Sequence, residues 1–152
     1  MRLSAKGEYG VRAMVYLALN YENGPVPLRA ISQSENISQH FLEQIFAILR
    51  REGLIKSTRG AKGGYTLAHL PQHVYVGDII RALEGPLFPV DCLSEDGQAD
   101  KNRRCNKTED CLVRNVWEKL REHIDNLLDN ISLQDMLDWS IENKKAEYEK
   151  VR

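Results

Sequence analysis

The stretch LIKSTRGAKGGYTLAHL, residues 54–70, limits the possible folds more than any other part of the chain. LIKST has the composition of a strand, RGAKGG is a glycine-rich turn carrying two cations, and YTLAHL returns as a second strand. This basic β-hairpin follows directly on three helical segments. Between Ser4 and Tyr21, Tyr9, Ala13, Leu17 and Val15, Ala18, Leu19 fall on adjoining helical faces until Gly24-Pro25 breaks the pattern. PLRAISQSEN is a short second helix opened by Pro27, at a first-turn position where its missing N–H costs nothing, with Leu28 and Ile31 turned inward. Ser38 is a good N-cap for the third helix, ISQHFLEQIFAILRREG, which carries Phe41, Leu42, Ile45, Phe46 and Leu49 on one side and stops at Gly53. Two short helices joined by a turn, the second with an apolar inner stripe and a polar outer edge of Gln39, His40, Glu43 and Gln44, make a helix-turn-helix pattern. The hairpin then serves as a wing. The expected fold class is mainly α with a small β-hairpin wing, a winged helix-turn-helix, in which the third helix enters the major groove of DNA and the wing reaches the neighbouring minor groove. The alternative is a structural hairpin beside an ordinary helical core.

Charge supports the first reading once it is resolved along the chain. The net charge of −1 is unpromising for a protein that must neutralise phosphates. Residues 1–65, however, hold nine Lys and Arg against five Glu, a net +4, which leaves −5 for the remainder. A basic N-terminal part joined to an acidic C-terminal part suits a protein that offers one face to DNA. With 152 residues and 42% apolar content there is room for one well-packed domain, or a small domain with an extended appendage. No stretch approaches the roughly 20 apolar residues of a membrane span, and MRLSAKGEYG lacks the apolar core of a signal peptide. A cytoplasmic protein with no membrane partner is expected.

Five regions emerge: the DNA-binding region 1–70, a connecting helix in 71–85, a cysteine-bearing loop 86–111, dimerisation helices 112–140 and a charged tail 141–152 expected to fray or be disordered. In the connecting helix VYVGDIIRALEGP, Val76, Ile79, Ile80 and Leu83 face inward and Gly85-Pro86 ends the helix. Residues 86–108 have no periodicity, and a structureless stretch of that length is unusual in a small protein. From Glu109 the pattern returns, with Val113, Val116, Leu120, Ile124, Leu127 and Ile131 spaced 3, 4, 4, 3 and 4 apart. Such a seam fits the same helix of a second subunit in a two-fold contact, the alternative being burial within one subunit. Ser132-Leu-Gln-Asp135 marks a further helix start, and LQDMLDWSI a short final helix.

The three cysteines are Cys92, Cys105 and Cys111. They cannot all pair, and a reducing compartment argues against a structural disulfide. Cys92 and Cys105 sit among Asp, Glu, Lys, Arg and Asn, where no apolar pocket is apparent. Thiolates are the ligands that soft metals and iron-sulfur clusters select, and a flexible segment lets unevenly spaced ligands converge. The C-x12-C-x5-C spacing is not the paired C-x2-C of zinc knuckles, and no His lies between residues 74 and 122 to complete a local Cys3His site. An iron-sulfur cluster is the favoured reading, with zinc or a metal-free thiol or disulfide redox switch as alternatives. There is no P-loop, no H-E-x-x-H and no GxGxxG between a strand and a helix, so an enzyme is not expected.

The blocks LSAKGEYGVRAMVYLA, ISQHFLEQIFAILRREGLIKSTRGAKGGYTLA and VGDIIRALEG, with a cysteine cluster followed by CLVRNVW, resemble the IscR-type winged-helix regulators, the superfamily that includes IscR, NsrR and CymR. The likeness runs to about residue 140. It implies a homodimer on an imperfect two-fold site in double-stranded DNA. It also implies, for members with three cysteines, a [2Fe-2S] or [4Fe-4S] cluster, of which [2Fe-2S] is preferred here. Glu43 matches a recognition-helix carboxylate that helps decide which sequences are accepted, by taking a hydrogen bond from cytosine N4 and repelling acceptor-rich edges. Ser38, Gln39, His40 and Gln44 share its face. Arg59 matches a wing arginine suited to the narrow minor groove of A·T-rich DNA, while Lys62 and Arg50 fit phosphate contacts. Arg114 stands where IscR has a histidine ligand three residues after its last cysteine. Glu8 stands where NsrR-like members carry an acidic ligand, which makes it the expected fourth ligand, with contribution from the partner subunit allowed; the alternative is a surface carboxylate pairing with Lys6 or Arg12. The resemblance also points to control of iron-sulfur assembly or sulfur-metabolism genes.

Overall fold

The computed structural model describes residues 3–93 and 111–150, with 144–150 described by backbone alone. Helices α1 (Ala5–Leu19), α2 (Leu28–Glu35) and α3 (Gln39–Arg51) precede an antiparallel hairpin of β1 (Ile55–Thr58) and β2 (Gly64–Leu67). Helices α4 (Val76–Glu84), α5 (Arg114–Asp129) and α6 (Leu133–Lys150) complete the described chain. The hairpin register pairs Ile55 with Leu67 and Thr58 with Gly64. This is the winged helix-turn-helix that the sequence implies.

Helix α1 is the central element, packed against α2, α3, α4, α6 and β2. Met14 and Leu17 from α1 meet Ile31 of α2, Leu42, Ile45, Phe46 and Leu49 of α3, Ile79 of α4 and Leu133 of α6 in one core, all fully buried or nearly so. The ring of Phe46 stands edge-on to Tyr65 of the wing at 4.8 Å, and Tyr9 meets Phe41 in the same way at 5.8 Å. Aromatic pairs favour this geometry because the positive edge of one ring faces the negative face of the other. The recognition helix is thereby held from behind by both α1 and the wing.

The caps follow the residue chemistry. Ser38 Oγ accepts the N–H of Phe41 at 3.2 Å, as an N-cap should. At the other end of α3, Gly53 adopts φ +75, its N–H reaches Arg50 O at 3.1 Å, and the Leu54 N–H reaches Leu49 O at 2.9 Å. That double bond pattern closes the helix and turns the chain directly into β1. Ser132 and Asp135 form a reciprocal capping pair at the start of α6: the Ser132 N–H and Oγ donate to Asp135 Oδ2 at 2.8 and 2.6 Å, and the Asp135 N–H donates to Ser132 Oγ at 3.1 Å. The hydrogen bonds from Ser132 hold the Asp135 carboxyl below its ordinary pKa.

Several details differ from the sequence expectation. Pro27 is the N-cap of α2 with extended ψ 139, one place earlier than the first turn. Directly before it, Val26 pairs with Tyr65 through two backbone hydrogen bonds of 2.9 and 2.8 Å, adding a one-residue third strand that Pro27, lacking an N–H, cannot extend. Leu19 is 59% exposed, because it occupies the last turn of α1 at the lip of a groove shared with Leu70 and Leu137. Helix α6 runs on to Lys150, where a short helix and a frayed or disordered tail were expected. The tail is rich in Glu and Lys, good helix formers that continue a helix already nucleated by its cap.

One contact joins the end of α4 to the start of α1. Glu84, the last residue of α4, accepts the Ser4 N–H at 3.1 Å, the Gly7 N–H at 3.0 Å and the Ser4 hydroxyl through Oε1. The carboxylate thus occupies the positive N-terminus of α1. Gly7 makes room for it, since a Cβ there would lie 2.5 Å from Glu84 Oε1, and Gly10 likewise admits the Leu83 side chain. A double-mutant cycle checks this clamp. Glu84→Ala lowers unfolding stability by about 1–2 kcal/mol. In that background Gly7→Ala restores about 1 kcal/mol through helix propensity, whereas in the native background the displaced carboxylate cancels the gain. The full propensity gain in both backgrounds would contradict the clamp.

Candidate nucleic-acid interface and cysteine segment

The outer face of α3 and the tip of the wing collect the residues singled out for DNA. Ser38, Gln39, His40, Glu43, Gln44 and Arg50 are all exposed, while the opposite face of the same helix is buried. The 3.6-residue period explains this: positions 40, 43, 44 and 47 share one side, and 42, 45, 46 and 49 the other. His40 and Glu43 stand 3.9 Å apart, and the Gln44 amide meets the His40 ring at 3.2 Å. Arg59 and Lys62 lie exposed in the five-residue turn between the strands. That turn is closed by a Gly63 N–H to Gly60 O bond of 3.0 Å, and a Cβ on Gly63 would fall 2.3 Å from Thr58 O. Arg50, expected simply to touch phosphate, also donates to Ser57 Oγ on β1 at 3.3 Å, so it ties the end of α3 to the wing.

Helices α1 and α2 are joined by Arg12. It donates to Glu35 Oε2 at 3.2 Å and to the Glu35 carbonyl at 2.6 Å, and lies over the Tyr9 ring. Glu8, one turn earlier, is exposed and makes no side-chain hydrogen bond or ion pair among the described residues. The pairing with Arg12 that its position allows is taken by Glu35.

Cys92 and Cys111 are free and half-buried, and Cys105 lies outside the described residues. Cys92 sits in a single turn, Asp91–Leu93, whose Leu93 is buried. Leu93 lines a cleft with Arg114, Glu118, Arg121, Glu122 and Asp125 of α5, and Arg121 lies 4.7 Å over the Phe88 ring. The segment carrying Cys92 therefore runs along the first half of α5. Cys111 immediately precedes the same helix, its carbonyl accepting the Arg114 N–H at 3.1 Å. Arg114 is engaged by Glu118 at 2.7 Å. Among the described residues no three His, Cys, Asp or Glu side chains already form a metal site. The chemistry of the donors fits iron, since Cys92 and Cys111 are free thiols and thiolate is the ligand iron-sulfur clusters require.

Helix α5 buries none of its residues. Val116, Leu120 and Leu127 are 57%, 42% and 61% exposed, Val113 is the exposed N-cap, and Ile124 is half-buried. Ile131 departs from the expected seam, because α5 ends at Asp129 and Ile131 belongs to the link, where its carbonyl accepts the Val76 N–H at 2.9 Å. The end of α5 is fixed to α4 by an ion pair between Arg81 and Asp129. The hydrogen bond that Arg81 donates to Asp129, helped by Asp78, raises the Arg81 pKa above its ordinary value despite partial burial. A Cβ on Gly77 would collide with Asp129 Oδ1, so this glycine admits the pair.

The sequence signals missed the Glu84 clamp and the Arg81–Asp129 pair. Both join residues far apart in the chain, and the only local trace was a glycine within a helical pattern, at Gly7 and Gly77, where a close approach is needed.

This arrangement of a buried-backed recognition helix, basic wing and long exposed helix has relatives. Residues 3–139 match the family model described as Rrf2, iron-dependent transcriptional regulator, and the chain belongs to that family. It is 38% identical over 146 residues to the HTH-type transcriptional regulator CymR of Bacillus subtilis, covering 96% of each chain. It is 39% identical over 137 residues to the regulator IscR of Klebsiella pneumoniae, covering 90% of this chain and 80% of that one. The solved structure of T. potens IscR superposes with a TM-score of 0.74 at 41% identity, covering 92% of this chain and 88% of that one. The protein is a transcriptional regulator that binds DNA, and no described helix is long and apolar enough to cross a membrane.

Proposed function

We propose that the protein is a homodimeric transcription regulator whose DNA binding is set by an iron-sulfur cluster, preferably [2Fe-2S], on Cys92, Cys105 and Cys111, with Glu8 as the fourth ligand. The observation that supports this reading is that two free, half-buried cysteines adjoin α5 in the chain or through a neighbour, Cys111 just before the helix and Cys92 next to Leu93, which lines a cleft with α5, and that the same helix has an exposed apolar stripe. The Glu8 carboxylate, unpartnered among the described residues, adjoins Gly7, which Glu84 holds. Bound there, a cluster supplies a centre that iron shortage, oxidants or nitric oxide can remove.

The chain's own residues provide the route from that centre to DNA. The segment 85–93 leaves α4 at Glu84, whose carboxylate clamps the start of α1, and α1 packs directly on the recognition helix. Ordering of the cysteine segment at the subunit contact thus biases the spacing of the two recognition helices. Only a difference in affinity between loaded and empty forms gives a signal. The likeness to IscR and CymR supports control of iron-sulfur assembly or sulfur-metabolism genes.

At the DNA itself, Glu43 selects sequence and Arg59 grips the minor groove, with Ser38, Gln39, His40 and Gln44 on the reading face and Lys62 and Arg50 at phosphates. Gel shifts on genomic fragments test this. Arg59→Ala weakens A·T-flanked fragments by about tenfold, and Glu43→Ala broadens sequence preference while preserving binding. Unchanged affinity of Arg59→Ala on every fragment, or uniform loss of binding with Glu43→Ala, contradicts these roles. A second reading, a cluster-free repressor of cysteine or sulfur metabolism controlled by a partner protein, a small molecule or thiol redox state, is supported by the match to CymR over nearly the full length of both chains. Anaerobic purification with a visible spectrum and iron and sulfide assays separates them: a colourless, iron-free protein removes the cluster.

A further inference from the structure

Three exposed side chains of α3 interlock. Gln44 Nε2 lies 3.2 Å from His40 Nε2, and His40 Nδ1 lies 3.9 Å from Glu43 Oε2. The two contacts fix each other's polarity. An amide nitrogen has only hydrogens to offer, so Gln44 donates and His40 Nε2 accepts. The neutral ring then carries its proton on Nδ1, the atom turned toward the Glu43 carboxylate. The Gln44 contact selects this tautomer, and the negative charge of Glu43, 3.9 Å from Nδ1, favours a proton on that side of the ring.

The consequence falls on Gln44. One of its two amide hydrogens is committed to His40, which sets the plane of the amide and leaves the carbonyl oxygen and the second N–H for another partner. An adjacent acceptor and donor on one amide is the pattern that pairs with N6 and N7 of adenine in the major groove. Without such a brace, an exposed glutamine on a helix surface must give up rotamer freedom when it binds. His40 is 83% exposed as a side chain, so the brace stands at the surface that meets the duplex rather than in the core.

We propose that His40 is a specificity-determining positioning residue, which holds the Gln44 amide in the orientation that reads adenine. The inference rests on the assignment of this face of α3 to the major groove. It is tested on the full-length protein with a bound genomic fragment in which each base pair is varied in turn, comparing wild type, Gln44→Ala, His40→Ala and the double variant. Gln44→Ala removes a preference for adenine at one base pair of each half-site, about tenfold. His40→Ala weakens the same preference by about three- to fivefold, at that base pair alone. In the Gln44→Ala background it adds nothing. If Gln44→Ala loses the preference and His40→Ala keeps it, or if His40→Ala acts equally in both backgrounds, the brace is overturned and the α3 assignment stands. If Gln44→Ala changes preference at no position, the assignment of α3 falls and the proposal falls with it. Both sites are exposed, so matching melting curves show that every variant is folded.

Discussion

Val116→Glu together with Leu120→Glu yields a monomer that folds normally and binds a two-fold DNA site at least about a hundredfold more weakly than the native protein. Val116 and Leu120 are 57% and 42% exposed on a helix with no fully buried residue, so neither belongs to the core. A contiguous row of Val113, Val116, Leu120 and Leu127 on one helix is what a subunit contact covers. In a two-fold contact every substitution appears twice, and each new carboxylate faces apolar surface or its own symmetry mate. Removing dimerisation makes each recognition helix bind alone, and the effective concentration supplied by the second is lost. Light scattering and fluorescence anisotropy read the two effects. A variant that remains dimeric, or a monomer with native affinity, contradicts the assignment of α5.

Cys92→Ser and Cys111→Ser each give a colourless protein after anaerobic purification, while the native chain carries visible absorption with bound iron and sulfide. Cys105→Ser has the same result. Serine keeps the size of the side chain and removes the soft sulfur donor, so loss of colour reports ligation rather than packing. Glu8→Ala keeps iron on three thiolates and changes the spectrum, because it removes only the fourth, oxygen ligand. Native-like iron and absorption in any one cysteine variant would remove that residue from the ligand set.

The fold was legible where neighbouring residues decide it. Ser38 as N-cap, Gly53 as helix stop, the Ser132–Asp135 capping pair and the alternation of Leu42, Ile45, Phe46 and Leu49 with Glu43 and Gln44 are local signals, and each was readable from spacing alone. The glycine-rich turn with Arg59 and Lys62 was equally local. What escaped depended on partners remote in sequence. Val26 joins the sheet because Tyr65 lies beside it, Leu19 is exposed because α1 ends at a groove, and Ile131 leaves the seam because its carbonyl is bound by Val76. The extent of α6 was underestimated because a charged composition was read as disorder, although Glu, Lys and Ala favour helix. The candidate DNA face lies on the described surface as a unit, and of the proposed cluster ligands Cys92, Cys111 and Glu8 are described, while Cys105 is not.

The central claim is that occupancy of the cysteine site changes how tightly the dimer holds DNA. One protein preparation, divided into an iron-loaded half kept anaerobic and a half stripped by chelator, is titrated against the same panel of genomic fragments at fixed salt. The account predicts that at least one fragment separates the two halves by about fivefold or more, the range of ordinary coupling between sites, and that the Glu84→Ala clamp variant narrows the gap. Identical affinities of loaded and stripped protein for every bound fragment would contradict it.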